Sequence, residues 1–137
     1  MADYKIKDIE GIGPAFAEKL SKAGIQTTGS LLDQASSPQG RKSLAEKCGI
    51  NESTILKWVN MADLFRVKGI GSEYSELLEK SGVDTVKELR NRNAENLHAK
   101  MDAVNKAGRA LVRKLPSKSQ VENWINEAKK MDPKVTY

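Results

Sequence analysis

One cysteine, Cys48, and one histidine, His98, are all the thiol and imidazole that 137 residues contain. A single cysteine excludes an internal disulfide framework and a cysteine zinc site. His98 has no second histidine or cysteine at metal-ligand spacing and reads as a surface residue, so neither a metal nor another cofactor is expected. Aromatic residues are few, with two Phe, two Trp and three Tyr. The core is therefore left to Leu, Ile, Val, Ala and Met. No run alternates apolar and polar residues over the length of a strand, and no apolar stretch approaches bilayer length. The polar opening MADYKIKDIE has no signal-peptide character. These absences predict an all-α protein, cytoplasmic, with no membrane partner.

Positive charge is present but uneven. The formal net charge is +5; residues 1–66 carry nine Lys/Arg against eight Asp/Glu, and residues 67–137 carry fourteen against ten. Such a balance favours an anionic partner, nucleic acid above all. Between Lys100 and Lys118, the cations Lys100, Lys106, Arg109, Arg113, Lys114 and Lys118 face one acid, Asp102. On a helix, Lys106, Arg109 and Arg113 fall at i, i+3 and i+7 and share a face. That face is the expected footprint on a nucleic-acid backbone, and an ordinary solvated face accounts for the same residues equally well.

One pattern occurs twice. Residues 9–25 read IEGIGPAFAEKLSKAGI and residues 67–83 read VKGIGSEYSELLEKSGV, a constant offset of 58. A later block also recurs: residues 53–62 around Trp58 align with residues 119–128 around Trp124, at an offset of 66. Two blocks repeated in the same order divide the chain into units 1–66 and 67–137, the second longer between its blocks. Phe16, Leu20 and Ala23 line one face of the helix after the first hairpin, and Tyr74, Leu77, Leu78 and Ser81 line its counterpart. Gly24 and Gly82 sit where a helix ends in a left-handed residue. Thr85–Glu88 and Ser117–Gln120 read as capping boxes. Pro38 breaks the chain ahead of a helix near 40–48. A long helix capped by Asn51 or Ser53 is predicted to run to about Arg66 and enter the second hairpin directly, joining the units rigidly. Only about 1–3 and 132–137 look frayed.

The pattern hydrophobic-x-Gly-hydrophobic-Gly ahead of an amphipathic helix resembles the helix-hairpin-helix family, on Ile9-Glu10-Gly11-Ile12-Gly13 and Val67-Lys68-Gly69-Ile70-Gly71. With the junction ADLFRVKGIG and the tryptophan blocks, the whole chain resembles an uncharacterised bacterial family with tandem motifs of this kind. The resemblance implies two SAM-domain-like units in tandem, sharing or joined by the helix near 52–66. It also implies binding to duplex DNA across the minor groove.

The chemistry agrees with that implication. Two glycines open backbone angles that side chains forbid and clear space for a ligand. The following helix begins with unsatisfied N–H groups at the positive end of its dipole. Together they suit a phosphate-sized anion and give binding that ignores base sequence. Neither copy is GxGxxG, since Phe16 and Tyr74 occupy the third position and no strand precedes either, so a Rossmann site is not expected. The residues expected at the interface are Gly11, Ile12, Gly13, Gly69, Ile70 and Gly71 in the hairpins. Lys68, Lys106, Arg109 and Arg113 would add electrostatic attraction.

Against this stand Pro14, which removes a donor, and the acids Glu10 and Glu73 near the proposed phosphates; Lys7, Lys19 and Lys22 offset them. Trp58, Trp124, Phe16 and Tyr74 fit core packing better than base stacking. Nothing orients a Cys48/His98 pair, and no carboxylate pair or distinctive lysine stands out. Neither catalysis nor a small-molecule substrate is expected. The alternative is a protein–protein interaction or adaptor module with purely structural hairpins.

Overall fold

A computed structural model of the chain describes residues 4–107 and 110–137. Among them are eight α-helices and no strand, only an isolated antiparallel bridge between Lys5 and Thr27. After a 3₁₀ turn at Ile6–Asp8, the order is α1 (Pro14–Lys22), α2 (Thr28–Ala35), α3 (Pro38–Cys48) and α4 (Glu52–Leu64), then α5 (Ser72–Lys80), α6 (Val86–Leu89), α7 (Ala94–Ala107) and α8 (Lys118–Lys129). No helix among the described residues is long and apolar enough to cross a membrane.

Local chemistry sets the helix ends. Gly24 and Gly82 have φ of +84° and +94°, and Ile25 and Val83 donate back to Leu20 and Leu78, closing α1 and α5. Ser117 and Gln120 form the complete capping box, whereas Thr85 accepts from Glu88 N–H while the Glu88 carboxylate turns to Arg92. Pro38 does not end structure. It is the first residue of α3, where its missing N–H costs nothing, so that helix begins two residues before position 40. α4 stops at Leu64, because Arg66 and Val67 N–H turn back three residues to Asp63 and Leu64.

Buried apolar side chains gather in two clusters. One holds Leu20, Ile25, Leu31, Ile55, Trp58, Val59 and Phe65; the other holds Leu64, Ile70, Leu77, Leu78, Leu97, Val121, Trp124 and Ile125. The repeated blocks meet inside each cluster. Gly11 and Gly69 both have φ +94°, and a Cβ there would stand 3.6 Å from Trp58 Nε1 and 3.1 Å from Trp124 Nε1. Phe16 and Tyr74 complete the contact, their ring centroids 5.1 and 5.2 Å from those of Trp58 and Trp124. Each indole thus supports its hairpin from beneath, which is why the two blocks repeat in step.

Segment 132–137 is docked, not frayed. Val135 is buried in the first cluster, and Thr136 N–H donates to Ser36 O at 2.8 Å. The buried Arg41 guanidinium donates to Ala35 O, Ser36 O and Thr136 O, drawing the end of α2 and this segment together. Arg66 donates to Asp132 O at 2.8 Å and pairs with Asp63 at 2.7 Å. Residues 1–3 lie outside the described residues.

Candidate nucleic-acid interface

Each hairpin is a pair of short turns. In the first, Ile9 donates to Ile6 O and Ile12 to Ile9 O; in the second, Ile70 donates to Val67 O. Ile12 and Ile70 are buried and anchor the turns. Gly13 and Gly71 are the N-caps of α1 and α5, with no side chain capping either helix. Ala15 and Phe16 N–H therefore have no acceptor within the protein, nor do the N–H groups of Ser72, Glu73 and Tyr74.

The second glycine of each hairpin is informative. Gly13 (φ −87°) and Gly71 (φ −110°) are extended, an ordinary conformation for any residue. A Cβ at either would meet nothing within 4 Å. Glycine is not needed there for folding; what it provides is clearance in front of an uncapped helix.

The hairpins differ in charge. The Glu127 carboxylate accepts Lys68 N–H at 3.2 Å, so an acid already sits on the second hairpin. At the corresponding place in the first unit stands buried Met61, and the first hairpin has no such occupant. Glu10 and Glu73 are both exposed, as are Lys7, Lys19 and Lys68. Glu127 carries no hairpin motif of its own; the only sequence signal for it was its place in the tryptophan block.

The basic stretch is not one helical face. α7 ends at Ala107, and Arg113 lies beyond it in a segment without helix. The cause is Asn105, whose Oδ1 accepts Leu111 and Val112 N–H at 2.8 and 3.2 Å, folding the chain back so that Val112 is buried. Lys106 is exposed and paired with Asp102 at 3.0 Å, and Arg113 is exposed; Arg109 lies outside the described residues. His98 is half-buried rather than a plain surface residue, its Nε2 donating to Pro116 O at 2.9 Å. Cys48 Sγ faces Lys19 O at 3.6 Å. Trp58 and Trp124 are buried. Among the described residues no three His, Cys, Asp or Glu side chains are grouped to hold a metal ion.

A cleft of about 230 Å³ between α4 and α5 is lined by Lys57, Asn60, Glu79 and Asp84 among others. Its two acids make it unsuited to a phosphate. Burial holds the Asp84 carboxyl above its ordinary 3.8; a backbone hydrogen bond opposes the rise, and Glu88 and Asp63 add to it. A carboxyl with a raised folded pKa holds its proton more tightly in the native state. Stability therefore falls as pH rises from 3.8 through the raised value. Asp84→Asn should raise the urea midpoint at pH 7 and lose that advantage at pH values below 3.8. An equal change at both pH values would show that charge is not the cause.

A family profile described as "Domain of unknown function (DUF4332)" matches residues 10–131, which begin within the first hairpin, at Glu10, and include the second hairpin and both tryptophan blocks. No curated protein and no solved structure matches the chain.

Proposed function

The chain belongs to the DUF4332 family, whose description assigns no activity, and on that premise we propose that it is a non-enzymatic, sequence-independent binder of duplex DNA acting in the cytoplasm. In this reading Ile9–Gly13 and Val67–Gly71 are helix-hairpin-helix hairpins, and 1–66 and 67–137 are tandem modules. The supporting observation is the doubled arrangement of an exposed or half-exposed glycine with open space before it, at the uncapped start of a nine-residue helix. Donors without acceptors and clearance for an approaching group are what a phosphate requires. Lys68 and the exposed cations Lys106 and Arg113, with Arg109, add long-range attraction.

Random-sequence duplex should bind with log affinity falling linearly in log salt. Gly13→Ala should change stability by no more than about 1 kcal/mol, since its backbone angles and surroundings accept a methyl group. It should nonetheless weaken binding about tenfold, or 1.4 kcal/mol. Absence of binding at about 50 mM salt, the low-salt condition where phosphate contacts are strongest, overturns the proposal.

The carboxylate of Glu127 on Lys68 N–H favours a second reading for the second hairpin alone, that of a structural turn in a protein-interaction module. Gly71→Ala separates the two, because a structural hairpin leaves DNA affinity unchanged. Charge reversal at Arg109 and Arg113 acts likewise: it weakens a DNA binder and spares an adaptor.

A further inference from the structure

The two units are joined twice. The covalent junction runs from α4 into the second hairpin, and α4 serves both cores, with Ala62 in the first cluster and Leu64 in the second. The other attachment is made by residues 131–137, which follow α8 without regular structure. Met131 packs against the second cluster, whereas Val135 is buried in the first. Two guanidinium groups hold the crossing by its carbonyls: Arg66 donates to Asp132 O at 2.8 Å and Arg90 to Met131 O at 3.5 Å. On the first unit, Thr136 N–H donates to Ser36 O at 2.8 Å, and Arg41 donates to Thr136 O. Tyr137 Oη donates to Asn60 Oδ1 on α4 at 3.3 Å.

A body attached at one covalent junction keeps a rotation about it. A second attachment, remote in sequence, removes that rotation. These contacts suit that task, because a side chain in an apolar socket fixes position, while the N–H and C=O of one residue, Thr136, both engaged, fix direction. Each unit carries one hairpin, so the attachment also holds the hairpins in a set relation. Exposed Glu10 and Glu73, and Glu127 on Lys68 N–H, oppose a phosphate at either hairpin, so each alone is a weak site. Two weak sites in a fixed geometry gain affinity, since the second contact becomes intramolecular. Resting on the reading of both hairpins as phosphate-binding elements, we propose that residues 131–137 are a brace that sets one hairpin relative to the other, so that both engage one duplex. Val135 and Thr136 are then positioning residues. Neither touches the ligand, and each acts through the angle between the units.

The test uses the full chain labelled with ¹⁵N and two variants on the brace itself. Val135→Asp puts a charge into the apolar socket, and Thr136→Pro removes the N–H given to Ser36 O. Residual dipolar couplings from α2 and α3 and from α5 and α8 should fit one alignment tensor in the parent and two in each variant. Val135→Ile, which keeps the socket filled, should retain one. Random-sequence duplex should bind each disrupted variant about tenfold more weakly, with a shallower dependence on salt, because one set of phosphate contacts is lost. Gly71→Ala supplies a readout that a loss of stability would not move. It should weaken the parent and have no effect in combination with Val135→Asp, since the second hairpin has then left the duplex. One tensor in both variants overturns the brace and leaves the duplex-binding reading standing. Two tensors with parental affinity, or a Gly71→Ala effect that is nil in the parent or undiminished in the combination, overturn the joint engagement and spare that reading. No binding of duplex by the parent at about 50 mM salt overturns the reading, and the proposal with it.

Discussion

Asp63→Ala should destabilise the protein by about 3–5 kcal/mol, the cost of stranding one partner of a buried ion pair. Asp63 is 1% exposed and Arg66 7%. One carboxylate oxygen accepts from Arg66 Nη1 at 2.7 Å, and the other accepts Val86 N–H at 2.8 Å, at the start of α6. Alanine removes both acceptors at once. Arg66 keeps only Asp132 O, and its Nε is already enclosed without a partner. Against a total stability of roughly 5–15 kcal/mol for a domain, such a loss leaves a barely folded chain. Urea denaturation is the measurement, with a lowered midpoint and an unchanged slope. Replacing the pair together, as Asp63→Leu with Arg66→Met, should recover much of the loss, since no charge is then left buried. A single mutant within 1 kcal/mol of the parent would place the pair in a far wetter setting than its burial indicates.

Trp58→Ala should cost a comparable amount, about 3–5 kcal/mol, the range for truncating a buried tryptophan. The residue packs in the first cluster beneath Gly11 and against Phe16. Its removal leaves a cavity directly under the hairpin. The effect on DNA affinity should therefore persist at temperatures where circular dichroism still reports a folded chain. Trp58→Phe should retain most of the stability. If Trp58→Ala leaves the hairpin's affinity untouched while lowering the melting temperature, the indole does not position the turn.

Helical periodicity and glycine placement carried most of the fold, because both are local signals. The faces of α4, α5 and α8, the Gly24 and Gly82 termini and the burial of both tryptophans follow from spacing alone; on α1 only Leu20 is buried, and Phe16, expected in the core, is exposed and covers the edge of Trp58 instead. Pro38 was ambiguous in sequence, since the same residue breaks a helix or begins one depending on its position. The capping box at Thr27 lacks the usual glutamate, Ser30 taking its place. Contacts at long separation left no local trace: Arg41 meets Thr136 across 95 residues, and nothing near Arg41 marks it as buried. The site was legible as backbone geometry but not as charge. Glu127 reaches Lys68 across 59 residues, and the helical face drawn through Lys106, Arg109 and Arg113 failed because Asn105 accepts the two amides that turn the chain.

The docking of 132–137 on the first unit bears on how the protein is made. During synthesis α2 and α3 emerge long before Thr136, and until it arrives the Arg41 guanidinium lacks one of its three acceptors. The first unit begins to assemble early and finishes late, and its closure waits on the second. Contacts of such long separation slow folding, because ordering the intervening chain precedes the reward. A nascent chain stalled after α4 would therefore present an incomplete first unit to the chaperones and proteases around the ribosome, although both of its repeated blocks would already be in place.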